Sequence, residues 1–85
     1  MNRNGCDNSK IAELLAIQGE LARPPLLKAF RRASRRAFLW PEEASDLVLK
    51  GRPLTELSGI GPYLEKIIRR WIEDPPAKVL MEHPR

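Results

Sequence analysis

Leu57-Ser58-Gly59-Ile60-Gly61-Pro62 is the stretch on which the reading of the fold turns. Two glycines flank one isoleucine, and a proline follows at once. Glycine takes φ > 0 and lets another backbone approach closely. Proline sets φ near the helical value and suits the first position of a helix, where its missing N–H is no loss. The stretch therefore predicts a tight turn that buries Ile60 and feeds a new helix at Pro62. Backbone N–H groups around Gly59 and Gly61, beside a helix N-terminus, make a small concave donor site suited to a phosphate oxygen.

Downstream, Leu64, Ile67, Ile68, Trp71 and Ile72 recur at i, i+3, i+4, i+7 and i+8, a helical stripe that places Trp71 in the core. Glu65, Lys66, Arg69, Arg70 and Glu73 take the outer face, and Asp74-Pro75-Pro76 stops the helix. Upstream, Pro53 opens a very short helix carrying Leu54 and Leu57. Before it, Trp40-Pro41-Glu42-Glu43 reads as a helix start with Pro41 at the first position and carboxylates at the positive end of the dipole. Ala44, Leu47 and Val48 form its buried face, and Gly51 its C-terminal cap.

From Pro25 to about Leu39 the pattern is sharpest. Lys28, Arg31, Arg32, Arg35 and Arg36 fall on one helix face, opposite Leu26, Ala29, Phe30, Ala33 and Ala37. No acidic residue lies between Arg23 and Trp40, so the stripe has no counter-charge within its own helix. Either Glu20, Glu42 or Glu43 pairs with it, or it tracks phosphates. The first helix, capped by Asn8 or Ser9, presents Ile11, Leu14, Leu15 and Leu21, is weakened by Gly19, and ends before Pro24-Pro25.

The chain has 85 residues, a net charge of +4 despite 11 acidic residues, and a single cysteine, Cys6. One small domain over residues 8–74 is expected, between a disordered lead-in at 1–7 that exposes Cys6 and a tail or linker at 75–85. A lone cysteine excludes an internal disulfide and a four-cysteine zinc site, and His83 has no partner at metal-ligand spacing. No run approaches the roughly 18 apolar residues of a membrane span, and no signal-peptide pattern opens the chain, so a cytoplasmic monomer is expected. The reading is all-α, a bundle of about four or five short helices closed by a hairpin of helices.

Short helix, Leu-x-Gly-Ile-Gly-Pro turn, second helix: over Pro53–Ile72 this resembles a helix-hairpin-helix element, the non-sequence-specific DNA-binding unit of many repair proteins. Lys28-Ala29-Phe30-Arg31-Arg32-Ala33-Ser34-Arg35-Arg36-Ala37, followed by Leu54-Thr55-Glu56-Leu57-Ser58-Gly59-Ile60-Gly61, extends the likeness to roughly Ser9–Glu73. Together they are similar to the 8-kDa-type, lyase-like N-terminal domain of family X DNA polymerases. In bacteria that domain is joined to a polymerase core and a metal-dependent PHP phosphoesterase domain, so C-terminal catalytic domains of a parent protein are implied partners.

The resemblance implies backbone DNA binding of gapped or nicked substrates by Ser58, Gly59, Ile60, Gly61 and Tyr63. Lys66, Arg69 and Arg70 flank them, with a second contact from the Lys28–Arg36 stripe. It implies a monovalent cation, Na+ or K+, on the carbonyls of Thr55, Leu57 and Ile60. It also points to 5′-deoxyribose-phosphate lyase chemistry, with Lys66 as the Schiff-base nucleophile. Here the sequence departs from the family. Pro25 and Leu26 stand where phosphate-gripping and base-stacking residues belong, Tyr63 replaces a lysine, and Phe30 replaces a tyrosine. Leu21–Pro25 is also about two residues longer than the family loop. A third expectation is a protein-interaction module that docks through Leu21–Leu27 or Val79–Met81, with its cations merely solvated.

Overall fold

A computed structural model describes residues 6–74; the first five residues and the tail, with Val79–Met81 and His83, lie outside the described range. The chain runs α1 (Asn8–Leu21), α2 (Leu26–Ala37), α3 (Ala44–Leu49), a single 3₁₀ turn (Leu54–Glu56) and α4 (Pro62–Glu73). No strand occurs among the described residues. The molecule is the small all-α bundle that the 3.6-residue apolar periods dictate.

α1 and α2 pack antiparallel. Near one end the Ser34 hydroxyl donates to the Ala12 carbonyl at 2.9 Å. Near the other, Gly19 is buried against Phe30, where an added Cβ would stand 3.1 Å from the Phe30 Cβ. Gly19 weakens the helix by propensity but permits this close approach, and the packing prevails. The core gathers Ile11 and Leu15 from α1, Phe30, Ala33 and Ala37 from α2, Leu47 from α3, Leu54 and Leu57 from the 3₁₀ segment, and Leu64, Ile68 and Ile72 from α4. Ile60 is also buried, as the turn requires.

Four expectations about caps and burial are corrected. The cap of α1 is Asp7, whose carboxylate accepts the Lys10 N–H at 2.9 Å, not Asn8 or Ser9. Asn8 is buried and serves α3 instead: its Oδ1 accepts the Ala44 N–H at 2.8 Å and its Nδ2 donates to the Glu42 carbonyl at 2.8 Å. Pro41 does not begin a helix. Glu43 is the cap position of α3, and its carboxylate is drawn away to accept the Asn8 N–H at 2.9 Å. Cys6 is fully buried rather than exposed, and burial, with Asp7 adding to it and Lys10 opposing it, pushes its thiol pKa up. Leu21 and Leu26 were assigned to apolar faces, yet both are exposed.

α3 stops at Gly51 as expected. With φ +73°, Gly51 lets its own N–H reach the Val48 carbonyl at 3.1 Å and the Arg52 N–H reach the Leu47 carbonyl at 2.9 Å. The Arg52 guanidinium then joins Glu42 (3.2 Å) and Glu56, tying the start of α3 to the 3₁₀ turn. These groups are about two-fifths exposed, so the ion pairs orient the segments more than they stabilise them.

Candidate nucleic-acid interface

The hairpin turn closes with the Ile60 N–H donating to the Leu57 carbonyl at 3.2 Å. Gly59 occupies the third position of this turn with φ +88°, a conformation in which any Cβ is strained. Gly61 caps α4 in extended geometry (φ −99°, ψ −176°), and Pro62 takes the first helical position. No side chain caps α4. The Tyr63 and Leu64 N–H groups of the first turn therefore have no capping side chain, at the positive end of the helix.

Lys28, Arg31, Arg32, Arg35 and Arg36 are all exposed, and none forms an ion pair among the described residues. Glu42 and Glu43, considered above as counter-charges, are committed to Arg52 and Asn8. The stripe also reaches the turn. Arg36 Nη1 donates to Ser58 Oγ at 2.6 Å, and its aliphatic chain lies on Gly59, with Cδ 3.1 Å from where a Cβ would stand. The Trp40 indole N–H donates to the Ser58 carbonyl at 2.9 Å. Two side chains from the end of α2 and the residues after it therefore hold Ser58, and the basic face runs without interruption into the hairpin.

The α4 cations divide. Arg69 is turned inward onto Glu65 at 3.4 Å, and the same Glu65 oxygen accepts the Leu54 N–H at 2.7 Å. Arg69 is thus less available to a phosphate than the sequence reading had it. Lys66 and Arg70 are exposed and line a cleft of about 580 Å³ with Tyr63, Leu26, Phe30 and Trp71. The cleft thus brings Lys66 together with Leu26, Phe30 and Tyr63, three of the four positions at which the chain departs from the resemblance; Pro25 does not line it. Trp71 is half-buried, packed on the core on one side and open to the cleft on the other.

Sequence reasoning missed the Asn8 cap, the Trp40 and Arg36 bonds to Ser58, and the neutralisation of Arg69. Only the last had a local signal, the i, i+4 spacing of Glu65 and Arg69. Among the described residues, no group of histidine, cysteine, aspartate or glutamate side chains is arranged to hold a metal ion. No helix among them is long and apolar enough to cross a membrane. Comparison with protein-family models, with curated proteins and with solved structures returns no match for this chain.

Proposed function

We propose that the chain binds DNA through backbone phosphates, without reading sequence, as the N-terminal module of a repair or polymerase-type protein. The observation that carries this is the Arg36–Ser58–Gly59 junction, which makes the uncompensated stripe of α2 and the amide-rich hairpin one surface. Amides at a helix N-terminus seat a phosphate, and guanidinium groups on the neighbouring helix follow the backbone on either side. Such contacts position a protein on DNA and carry no base preference.

Titration of labelled gapped, nicked and single-stranded DNA at two salt concentrations tests this. With about four to six phosphates engaged, log K falls by roughly 0.9 per phosphate for each unit of log salt on duplex DNA. An Arg31/Arg32/Arg35/Arg36→Ala variant binds more weakly with a shallower slope. Unchanged binding in that variant removes the stripe from the interface, and no binding at low salt removes the whole reading. Amide shifts centred on Ser58–Leu64 support the hairpin as the contact; a silent hairpin favours the protein-interaction alternative.

The carbonyls of Thr55, Leu57 and Ile60 suit a hard monovalent cation, since oxygen donors are what such ions take. The Leu57 carbonyl accepts the Ile60 N–H and keeps a second lone pair. A Na+ or K+ held by these carbonyls would add positive charge to the hairpin.

The cleft around Lys66 favours a second reading, 5′-deoxyribose-phosphate lyase. The neutral Lys66 amine adds to the sugar aldehyde and water leaves; the C=N bond formed acidifies the C2′ hydrogen, whose loss as a proton to water expels the 3′-phosphate, and hydrolysis of the imine frees Lys66. Arg70 lines the same cleft and, in this reading, is the cation that meets the sugar's phosphate. Borohydride reduction on an abasic 5′-phosphate substrate traps this linkage, and absence of an adduct that depends on Lys66 removes the reading.

A further inference from the structure

Glu65 stands in the first turn of α4, beside the amides that the phosphate-binding reading assigns to an anion. By charge alone it opposes that anion. Complement to the helix dipole accounts for an acid in this turn, but not for where its oxygen points.

The 3₁₀ turn supplies the reason. Leu54 is fully buried, and Pro53, at the cap position, makes no side-chain hydrogen bond to the turn. The Leu54 N–H is therefore an orphan within its own segment, and leaving it unpaired in the core is costly. Glu65 Oε2 accepts it at 2.7 Å. The Leu57 N–H then donates to the Leu54 carbonyl at 2.9 Å, and the Ile60 N–H to the Leu57 carbonyl at 3.2 Å. At the far side of the turn, the Glu65 N–H donates to the Gly61 carbonyl at 2.9 Å. Glu65 thus grips both ends of the hairpin, with its carboxylate at the start and its backbone at the finish. The Arg69 guanidinium lies 3.4 Å from the same carboxylate oxygen. That pair is partly exposed, so it offsets the charge of Glu65 more than it adds stability.

We propose that Glu65 is a positioning residue for phosphate binding. Its carboxylate fixes the 3₁₀ turn against α4 and so sets the spacing of the amides between Gly59 and Leu64. The inference rests on the DNA-binding reading, and it reverses the sign that charge alone dictates: removing this acid weakens the hold on a polyanion.

Fluorescence anisotropy with one labelled gapped duplex, titrated at several salt concentrations, tests the brace. Glu65→Ala is expected to bind roughly 10-fold or more weakly, the loss of one charge-assisted hydrogen bond to phosphate. Its salt slope becomes shallower by about 0.9, one phosphate fewer. Glu65→Gln removes the same charge but keeps an oxygen for the Leu54 N–H, so it retains the slope and binds at least as tightly as the unmodified chain. Glu73→Ala makes the same change of charge at the exposed far end of α4 and should not weaken binding. Hydrogen exchange reads the brace directly: the Leu54 amide loses protection in Glu65→Ala and keeps it in Glu65→Gln. If Glu65→Ala fails to fold, Glu65→Gln decides, a protected Leu54 amide with an unchanged slope supporting the brace and an unprotected one overturning it. Glu65→Ala that folds and binds as tightly as the unmodified chain, or Glu65→Gln that loses as much as Glu65→Ala, overturns the brace and leaves backbone binding standing. Failure of the unmodified chain to bind at low salt overturns both readings.

Discussion

Alanine at Gly59 and alanine at Gly61 have opposite consequences, although the two glycines sit one residue apart. At Gly59, φ is +88°, and a Cβ meets Arg36 Cδ at 3.1 Å. A left-handed Cβ costs about 1–2 kcal/mol, and the shorter list of unfolded conformations returns about 0.4–1. The net loss is about 1 kcal/mol, a fall in melting temperature of roughly 4–8 °C for a domain of this size. Displacing Arg36 adds to that by loosening its bond to Ser58. At Gly61 the backbone is extended and nothing lies within 4 Å of an added Cβ. The gain of about 0.4–1 kcal/mol from the unfolded state is offset by exchanging glycine for alanine, a poorer helix cap. Gly61→Ala should therefore melt close to the unmodified protein. Its methyl group nonetheless projects into the open space beside the α4 amides. If a phosphate seats there, loss of one charge-assisted hydrogen bond, about 1.5–3 kcal/mol, weakens DNA binding by roughly 10- to 150-fold. Thermal unfolding followed by circular dichroism reads the first effect, and fluorescence anisotropy with a labelled duplex reads the second. An unchanged melting temperature in Gly59→Ala refutes the conformational argument, and full affinity in Gly61→Ala refutes the phosphate seat.

Asn8→Ala removes the cap of α3 and leaves the buried Ala44 N–H without its acceptor, a loss of about 2 kcal/mol, measured as the midpoint of urea unfolding. Cys6 titrates in the sense of a group held protonated by the fold: its contribution is complete below the unfolded value of about 9 and is lost as pH rises toward the higher folded value. Stability should therefore fall above about pH 9, and less so in Cys6→Ala relative to its own neutral-pH value. Maleimide labelling of the native protein should be slow and accelerate with denaturant, because the thiol is fully buried.

The periods of 3.6 and the glycine–proline turn made the helices and the hairpin legible, because both are local consequences of side-chain placement and backbone freedom. The basic face of α2 was legible for the same reason. What resisted reading was non-local. Asn8 looks like the cap of its own helix, yet its side chain serves a helix 36 residues away. Once Asn8 and Arg52 hold Glu43 and Glu42, Pro41 has no helix to begin. Leu21 and Leu26 satisfy the apolar pattern of their helices, but α1, α2 and α4 leave a cleft at that end instead of closing over them. Periodicity states which residues share a face and says nothing of whether another element covers it.

The distribution of charge sharpens the functional argument beyond the sum of cations. Glu42, Glu43, Glu56 and Glu65 each hold a structural hydrogen bond or ion pair away from α2, so its stripe keeps its mutual repulsion. The pairs Lys28–Arg32, Arg31–Arg35 and Arg32–Arg36 stand at i, i+4, and each costs the helix about 0.2–0.5 kcal/mol, near 1 kcal/mol together. A polyanion along this face converts that repulsion into attraction, whereas a merely solvated surface gains nothing by retaining it. Sodium chloride therefore has opposite effects on two observables. Screening relieves the repulsion and raises the melting temperature of the chain alone by a few degrees, while the same salt releases bound DNA. In the Arg31/Arg32/Arg35/Arg36→Ala variant the rise disappears along with the affinity. A melting temperature that falls with salt in the unmodified chain would show that the stripe carries no stored repulsion, and would return those cations to ordinary surface residues.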